Sequence, residues 1–128
     1  MTAQIAHLYA LGCLAIVFFQ IALIAGMPLG AWTQGGRHPG ALPPSGRLMA
    51  AAAIPVALFQ GVAILSAAGF PGIGWPRWTG WAALGLSLVS AVLNQVTPSR
   101  RERAVWGPVT ILMAGLAGYV LIVTQGSG

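Results

Sequence analysis

The chain has 128 residues, of which 57% are hydrophobic and only 5% are charged. A soluble domain carries about 25% charged residues, so this composition excludes a protein whose whole surface faces water. The formal net charge is +5, but the few basic residues lie between long apolar stretches, which argues against nucleic acid as a partner.

Four apolar and uncharged windows predict four transmembrane helices. They cover residues 8–27, 48–70, 78–96 and 104–124, and each has the roughly 20 residues that a helix needs to cross the hydrocarbon layer. None shows the alternation of a membrane β-strand. The short second and third connections favour antiparallel neighbours. The sequence therefore predicts an all-α fold, an integral membrane up-down-up-down four-helix bundle that forms a single domain over residues 1–128.

Polar side chains interrupt the first three windows at Gln20, Gln60, Asn94 and Gln95. Polar groups within a membrane usually face the bundle interior and find partners there. Two interpretations stay open. The side chains form structural hydrogen bonds between helices, each contributing about 0.6 kcal/mol. Alternatively, Gln20, Asn94, Thr110 and the first connection line a polar pocket that opens toward the cytoplasm, and Gln60 and Asn94 line a pore.

The first connection, PLGAWTQGGRHPGALPPSGR, is long for a link between bundle helices. Gly35 and Gly36 can adopt positive φ and turn successive N–H groups toward one anion, as a nest. The pattern predicts a site for a lipid phosphate or another anion, and the alternative is a turn with arginines that only set topology. The predicted ligand-binding residues here are Gly35, Gly36, Arg37, His38 and Arg47, with Arg100, Arg101 and Arg103 of the third connection.

The third connection contains the only acidic residue of the chain, Glu102, three positions after Ser99. Ser-x-x-Glu before an apolar window is a capping-box pattern. Ser99 is expected to accept a hydrogen bond from the first turn of the fourth helix, and Glu102 to accept one from the N–H of Ser99. Glu102 is therefore predicted to be a helix cap, and the alternative is a proton carrier or a catalytic acid.

Small residues recur at steps of four in the last three windows and predict seams between helices. Contact between copies of the chain is the alternative. These residues are Ala53, Ala57 and Gly61 in the second window, Ala83, Ser87 and Ala91 in the third, and Ala114 and Gly118 in the fourth.

The arginines are distributed unequally between the two ends of the predicted bundle. Five lie in the first and third connections, and only Arg77 lies at the end that also holds both termini. Cytoplasmic loops carry an excess of arginine and lysine. The distribution therefore predicts that the first and third connections are cytoplasmic and that both termini lie on the other side of the membrane.

Two short patterns resemble those of uncharacterised small bacterial inner-membrane proteins with four transmembrane helices. They are G-x-P-x-G followed by GG, LP and Arg, at Gly26, Pro28, Gly30, Gly35, Gly36, Leu42, Pro43 and Arg47, and S-x-x-E-R-x-x-W-x-P from Ser99 to Pro108. The resemblance covers most of the chain. It implies the inner membrane of a bacterium and no biochemical role. Combined with the arginine distribution, this location predicts that both termini are periplasmic.

Known catalytic arrangements find little support in this composition. The chain has no Asp and a single acid, so a Ser-His-Asp set and paired carboxylates are excluded. His7 and His38 are expected on opposite sides of the membrane, which argues against a haem or metal site. We therefore predict no catalytic residue, no metal and no cofactor, and the alternative is a catalytic site built from Arg, His and Asn.

Three functional hypotheses follow from the sequence. The leading one is a non-enzymatic membrane protein that binds an anionic lipid, a small anion or a partner subunit through its arginine-rich cytoplasmic face. The second is a small transporter or channel, assembled as a homo-oligomer, with a polar pocket at Gln20, Gln60 and Asn94. The third is an accessory subunit of a larger membrane complex.

Overall fold

The computed structural model describes residues 1–125, and these form four α-helices and no β-strand. Helix α1 spans Thr2–Ile24, α2 Pro44–Ala67, α3 Arg77–Val96 and α4 Arg100–Val123. All four are long and apolar enough to cross a membrane. The predicted all-α four-helix bundle is confirmed, and the chain is a small polytopic membrane protein. Residues 126–128 of the predicted domain lie outside the described residues.

The helix ends differ from the predicted windows because backbone geometry, rather than hydropathy, ends a helix. Helix α1 stops at Ile24, before the end of its window, where Gly26 turns the chain with φ of +95°. Helix α2 begins at Pro44, ahead of its window, since proline fits the first turn of a helix. It ends at Ala67, and Gly69 follows with φ of +90°. The helices are therefore offset from the most apolar stretches.

Each helix packs against its neighbours in sequence, and α1 also packs against α4, which closes the bundle. The small-residue seams predicted from the sequence are confirmed as buried contact lines, because most of their members are shielded from the surroundings. Ala57, Gly61, Ala83, Ser87, Ala91 and Ala114 are buried, and Ala53 and Gly118 are half-buried. Close approach of helix backbones at such residues is the usual basis of helix association in lipid.

The connection between α1 and α2, residues 25–43, is folded into two short 3₁₀ turns, Gly30–Trp32 and Gln34–Gly36. The N–H of Gly30 donates to the carbonyl of Gly40 at 3.0 Å, which joins the two halves of this connection. The chain segment that the sequence marked as unusually long is therefore an ordered lid on one end of the bundle.

Candidate functional site

The first and third connections contact each other at one end of the bundle. The hydroxyl of Ser99 donates to the carbonyl of Ala31, and the N–H of Gly35 donates to Glu102 Oε1 at 3.2 Å. The prediction that these two connections share one end is thereby confirmed. We call this end, formed by residues 25–43 and 97–103, the arginine-rich end.

Glu102 caps helix α4 differently from the sequence prediction. Ser99 Oγ accepts from the N–H of Glu102 at 3.1 Å, as predicted. The predicted reciprocal bond, from the Ser99 N–H to Glu102, is wrong. The N–H of Ser99 donates instead to Thr97 Oγ1 at 3.3 Å. Glu102 Oε1 accepts from the Gly35 N–H and from the Thr97 hydroxyl. Glu102 therefore links α4 to the first connection, a contact that the capping-box pattern did not predict.

The glycine pair of the first connection adopts the predicted backbone conformation but not the predicted function. Gly35 and Gly36 have φ of +72° and +70°. Gly35 N–H donates to Glu102, and Gly36 N–H donates to the Thr33 carbonyl at 2.8 Å. The prediction that the two N–H groups converge on one bound anion is therefore wrong.

A polar pocket of about 130 Å³ lies at the arginine-rich end, between α1, α3, α4 and the first connection. Its lining residues are Ile16, Phe19, Gln20, Thr33, Ser90, Asn94, Glu102, Trp106 and Thr110. The structure brings together Gln20, Asn94 and Thr110 with a residue of the first connection, as the second interpretation of the polar residues predicted. That they bind a ligand stays a prediction. Glu102 was not predicted to line this pocket, because its capping pattern explained it locally.

Hydrogen bonds within the pocket lining leave acceptor atoms of Asn94 and Thr110 available. Asn94 Nδ2 donates to the Ser90 carbonyl at 2.7 Å, and the Thr110 hydroxyl donates to the Trp106 carbonyl at 2.6 Å. Asn94 thus keeps its carbonyl oxygen, and Thr110 keeps its oxygen lone pairs. The side chain of Gln20 forms no hydrogen bond with any residue of the range 1–125. The pocket can therefore receive a ligand that donates hydrogen bonds.

Gln60 lies outside this pocket, so the predicted grouping of Gln20, Gln60 and Asn94 around one cavity is wrong. Its Nε2 donates to Tyr9 Oη and to Ser87 Oγ, both at 3.2 Å, and these two hydroxyls bond each other at 2.5 Å. Tyr9 and Ser87 are buried. The cluster joins α1, α2 and α3, which supports the interpretation that Gln60 forms structural hydrogen bonds.

Three arginines bond to backbone carbonyl groups where helices end. Arg47 Nη1 donates to the Ile24 carbonyl at the end of α1 at 3.5 Å, and Arg103 Nη1 donates to the Thr97 carbonyl at the end of α3 at 2.6 Å. Arg47 Nε also donates to the Leu42 carbonyl, ahead of α2, at 2.9 Å. At the opposite end, Arg77 donates to the Leu121 carbonyl at 2.7 Å. Cations are favoured near helix C-termini because of the helix dipole. Arg47 and Arg103, which were predicted to bind an anion, thus have structural contacts.

The other three arginines, Arg37, Arg100 and Arg101, have exposed side chains at the arginine-rich end. The Arg101 guanidinium lies 4.9 Å from the centre of the Trp32 ring, a cation–π contact. His38 is also exposed. A shallow cleft of about 350 Å³ separates the two connections, and its lining residues are Ala31, Gly35, Gly36, Pro98, Ser99, Arg100 and Arg101. We call it the arginine cleft.

Comparison of the chain with protein-family models, with curated proteins and with solved structures gives no match. Inference about function therefore depends on the chemistry of the polar pocket and of the arginine cleft.

Proposed function

We propose that the arginine-rich end binds the phosphate groups of anionic membrane lipids. The arginine cleft carries this proposal, because two arginines with exposed side chains, Arg100 and Arg101, line it. Contact with Trp32 restricts Arg101 and so reduces the entropy lost when it binds. Arginine is well suited to phosphate because its planar group can donate two parallel hydrogen bonds.

The charge at this end also favours an anionic surface. It holds four of the six arginines, and Arg47 follows in the first turn of α2. The single acidic side chain, Glu102, lines the polar pocket and bonds to Gly35 and Thr97. A basic residue close to an anionic leaflet contributes about 1 kcal/mol to binding. The aromatic ring of Trp32 suits the same interfacial depth. These groups together support lipid headgroups, rather than a soluble partner, as the first ligand to test.

The double variant Arg100→Gln/Arg101→Gln is expected to bind anionic lipid roughly thirtyfold more weakly, since two contributions of about 1 kcal/mol are lost. Native mass spectrometry of the purified protein with added phosphatidylglycerol measures the retained lipid. Arg100→Lys/Arg101→Lys is the matched control, because it keeps both charges, and it is expected to retain most of the binding. A parallel series with glycerol phosphate distinguishes a lipid headgroup from free phosphate. Equal lipid retention by the Gln variant and the native chain would contradict the proposal.

We also propose that the chain resides in a bacterial inner membrane with its arginine-rich end in the cytoplasm. The unequal arginine distribution and the contact between the first and third connections support this orientation. In a Cys13→Ala background, a membrane-impermeant maleimide is expected to label Gln4→Cys in intact cells and Ser45→Cys only after lysis. Both side chains are exposed, at opposite ends of the bundle. Labelling of Ser45→Cys in intact cells would show that the arginine-rich end faces the periplasm and would contradict the proposed orientation.

A further inference from the structure

We propose that the polar pocket binds a small organic cation bearing a primary ammonium group, with Glu102 as its counter-ion. This site is separate from the arginine cleft and has the opposite charge preference. It therefore adds a ligand to the lipid binding proposed above and does not depend on it.

The charge of Glu102 is the first observation in favour of a cation. Oε1 of this carboxylate already accepts two hydrogen bonds, from Gly35 and Thr97, whereas Oε2 has no donor within residues 1–125. No arginine of that range forms an ion pair with Glu102, although several lie at the same end of the bundle. A carboxylate that is partly withdrawn from water is stabilised by a cation with which it can pair. Because Glu102 lines the pocket, a cation bound there can pair with its carboxylate.

Two further side chains of the lining offer acceptor atoms to a ligand that donates hydrogen bonds. Asn94 uses its NH₂ group on Ser90, and Thr110 uses its proton on the Trp106 carbonyl, so both retain acceptor oxygens. The amide of Gln20 forms no bond to the described part of the chain and can turn its carbonyl inward. An ammonium group has three donors and no acceptor, so it matches these oxygens.

The apolar part of the pocket and its size restrict the ligand further. Phe19 and Trp106 both line the pocket, and their rings pack edge to face with centroids 5.0 Å apart. Aromatic rings attract cations more strongly when water is excluded. The pocket has a volume of about 130 Å³, which accommodates a small ammonium ion such as methylammonium or ethylammonium.

Glu102→Gln is the decisive variant, because the amide keeps a carbonyl oxygen for Gly35 and Thr97 and removes only the charge. Ligand-observed NMR titration of the detergent-purified protein with methylammonium, at constant ionic strength, measures the dissociation constant. The native chain is expected to bind methylammonium saturably, and Arg100→Gln/Arg101→Gln, which removes the arginines of the arginine cleft, is expected not to bind acetate. Glu102→Gln is expected to weaken methylammonium binding at least about tenfold. Equal methylammonium binding by the native chain and Glu102→Gln, or saturable acetate binding by Arg100→Gln/Arg101→Gln, would overturn the proposal.

A matched pair of amide variants tests the pocket without changing Glu102. Gln20→Leu removes an amide that lines the pocket, whereas Gln95→Leu removes a nearby amide that bonds to the Gly107 carbonyl outside it. Binding is expected to weaken several-fold in the first variant and to stay unchanged in the second, and this pair decides the outcome if Glu102→Gln does not fold. Equal effects of the two would refute the assigned site. The lipid-binding variant Arg100→Gln/Arg101→Gln should leave methylammonium binding intact, so the two proposals fail independently.

Discussion

Replacing Gly30 with alanine is expected to destabilise the protein by about 3 kcal/mol, at the upper end of the range for overpacking. An alanine Cβ at this position would lie 1.6 Å from the His38 carbonyl oxygen and 2.6 Å from that of Gly40. Both are backbone atoms, so a change of rotamer cannot relieve the overlap. The hydrogen bond from Gly30 N–H to the Gly40 carbonyl would break as the first connection opens.

Gly40→Ala is the matched control for this prediction. It adds the same methyl group to the other half of the same hydrogen-bonded pair, where a Cβ meets nothing within 4 Å, and the φ of Gly40 is not positive. Thermal unfolding in detergent, followed by tryptophan fluorescence, should show a clearly lowered Tm for Gly30→Ala and a nearly native Tm for Gly40→Ala. Similar Tm values for the two variants would show that the first connection is not packed as described.

The second large effect is expected for Ala57→Leu, which is predicted to cost about 1–3 kcal/mol. Ala57 is only 2% exposed and lies on the small-residue seam of α2. One turn further along that seam, at Gly61, a Cβ would lie 3.4 Å from Cys13 Cβ of α1. The seam therefore has no space for a leucine unless α1 and α2 separate.

Ala52→Leu provides the comparison for Ala57→Leu, because it makes the same substitution on an exposed position of the same helix. An added apolar side chain on a surface that faces lipid should be nearly neutral, since lipid tails are as apolar as leucine. The difference in Tm between the two variants isolates the packing effect. A Tm for Ala57→Leu equal to that of Ala52→Leu would show that the buried stripe is not a helix interface.

Much of the fold was predictable because the membrane imposes it through composition and periodicity. Apolar windows of sufficient length must be helical in lipid, since every backbone polar group needs an internal partner there. Spacing of small residues by four indicated the buried faces of α2, α3 and α4, as Ala57 and Ala83 illustrate. The Ser99 cap was also predictable, because its donor lies only three residues away.

Contacts between distant segments were not predictable in the same way. Gly35 donates to Glu102 across 67 positions of sequence, and no local pattern indicates that the two meet. For the same reason the sequence prediction grouped Gln60 with Gln20 and Asn94, whereas in the structure Gln60 bonds to Tyr9 and Ser87.

The amino-acid sequence by itself determined that this chain spans a membrane with four helices and which of their faces pack together. Transfer of apolar side chains into lipid and the close packing of small residues depend on composition and local spacing alone. Only the tertiary structure decided what the polar groups do. In the tertiary structure some arginines bond to carbonyl groups at helix ends and others line the arginine cleft. Glu102 lines the polar pocket. Hydrogen bonds and ion pairs act over a few ångströms, so their partners depend on how the helices and connections come together in space.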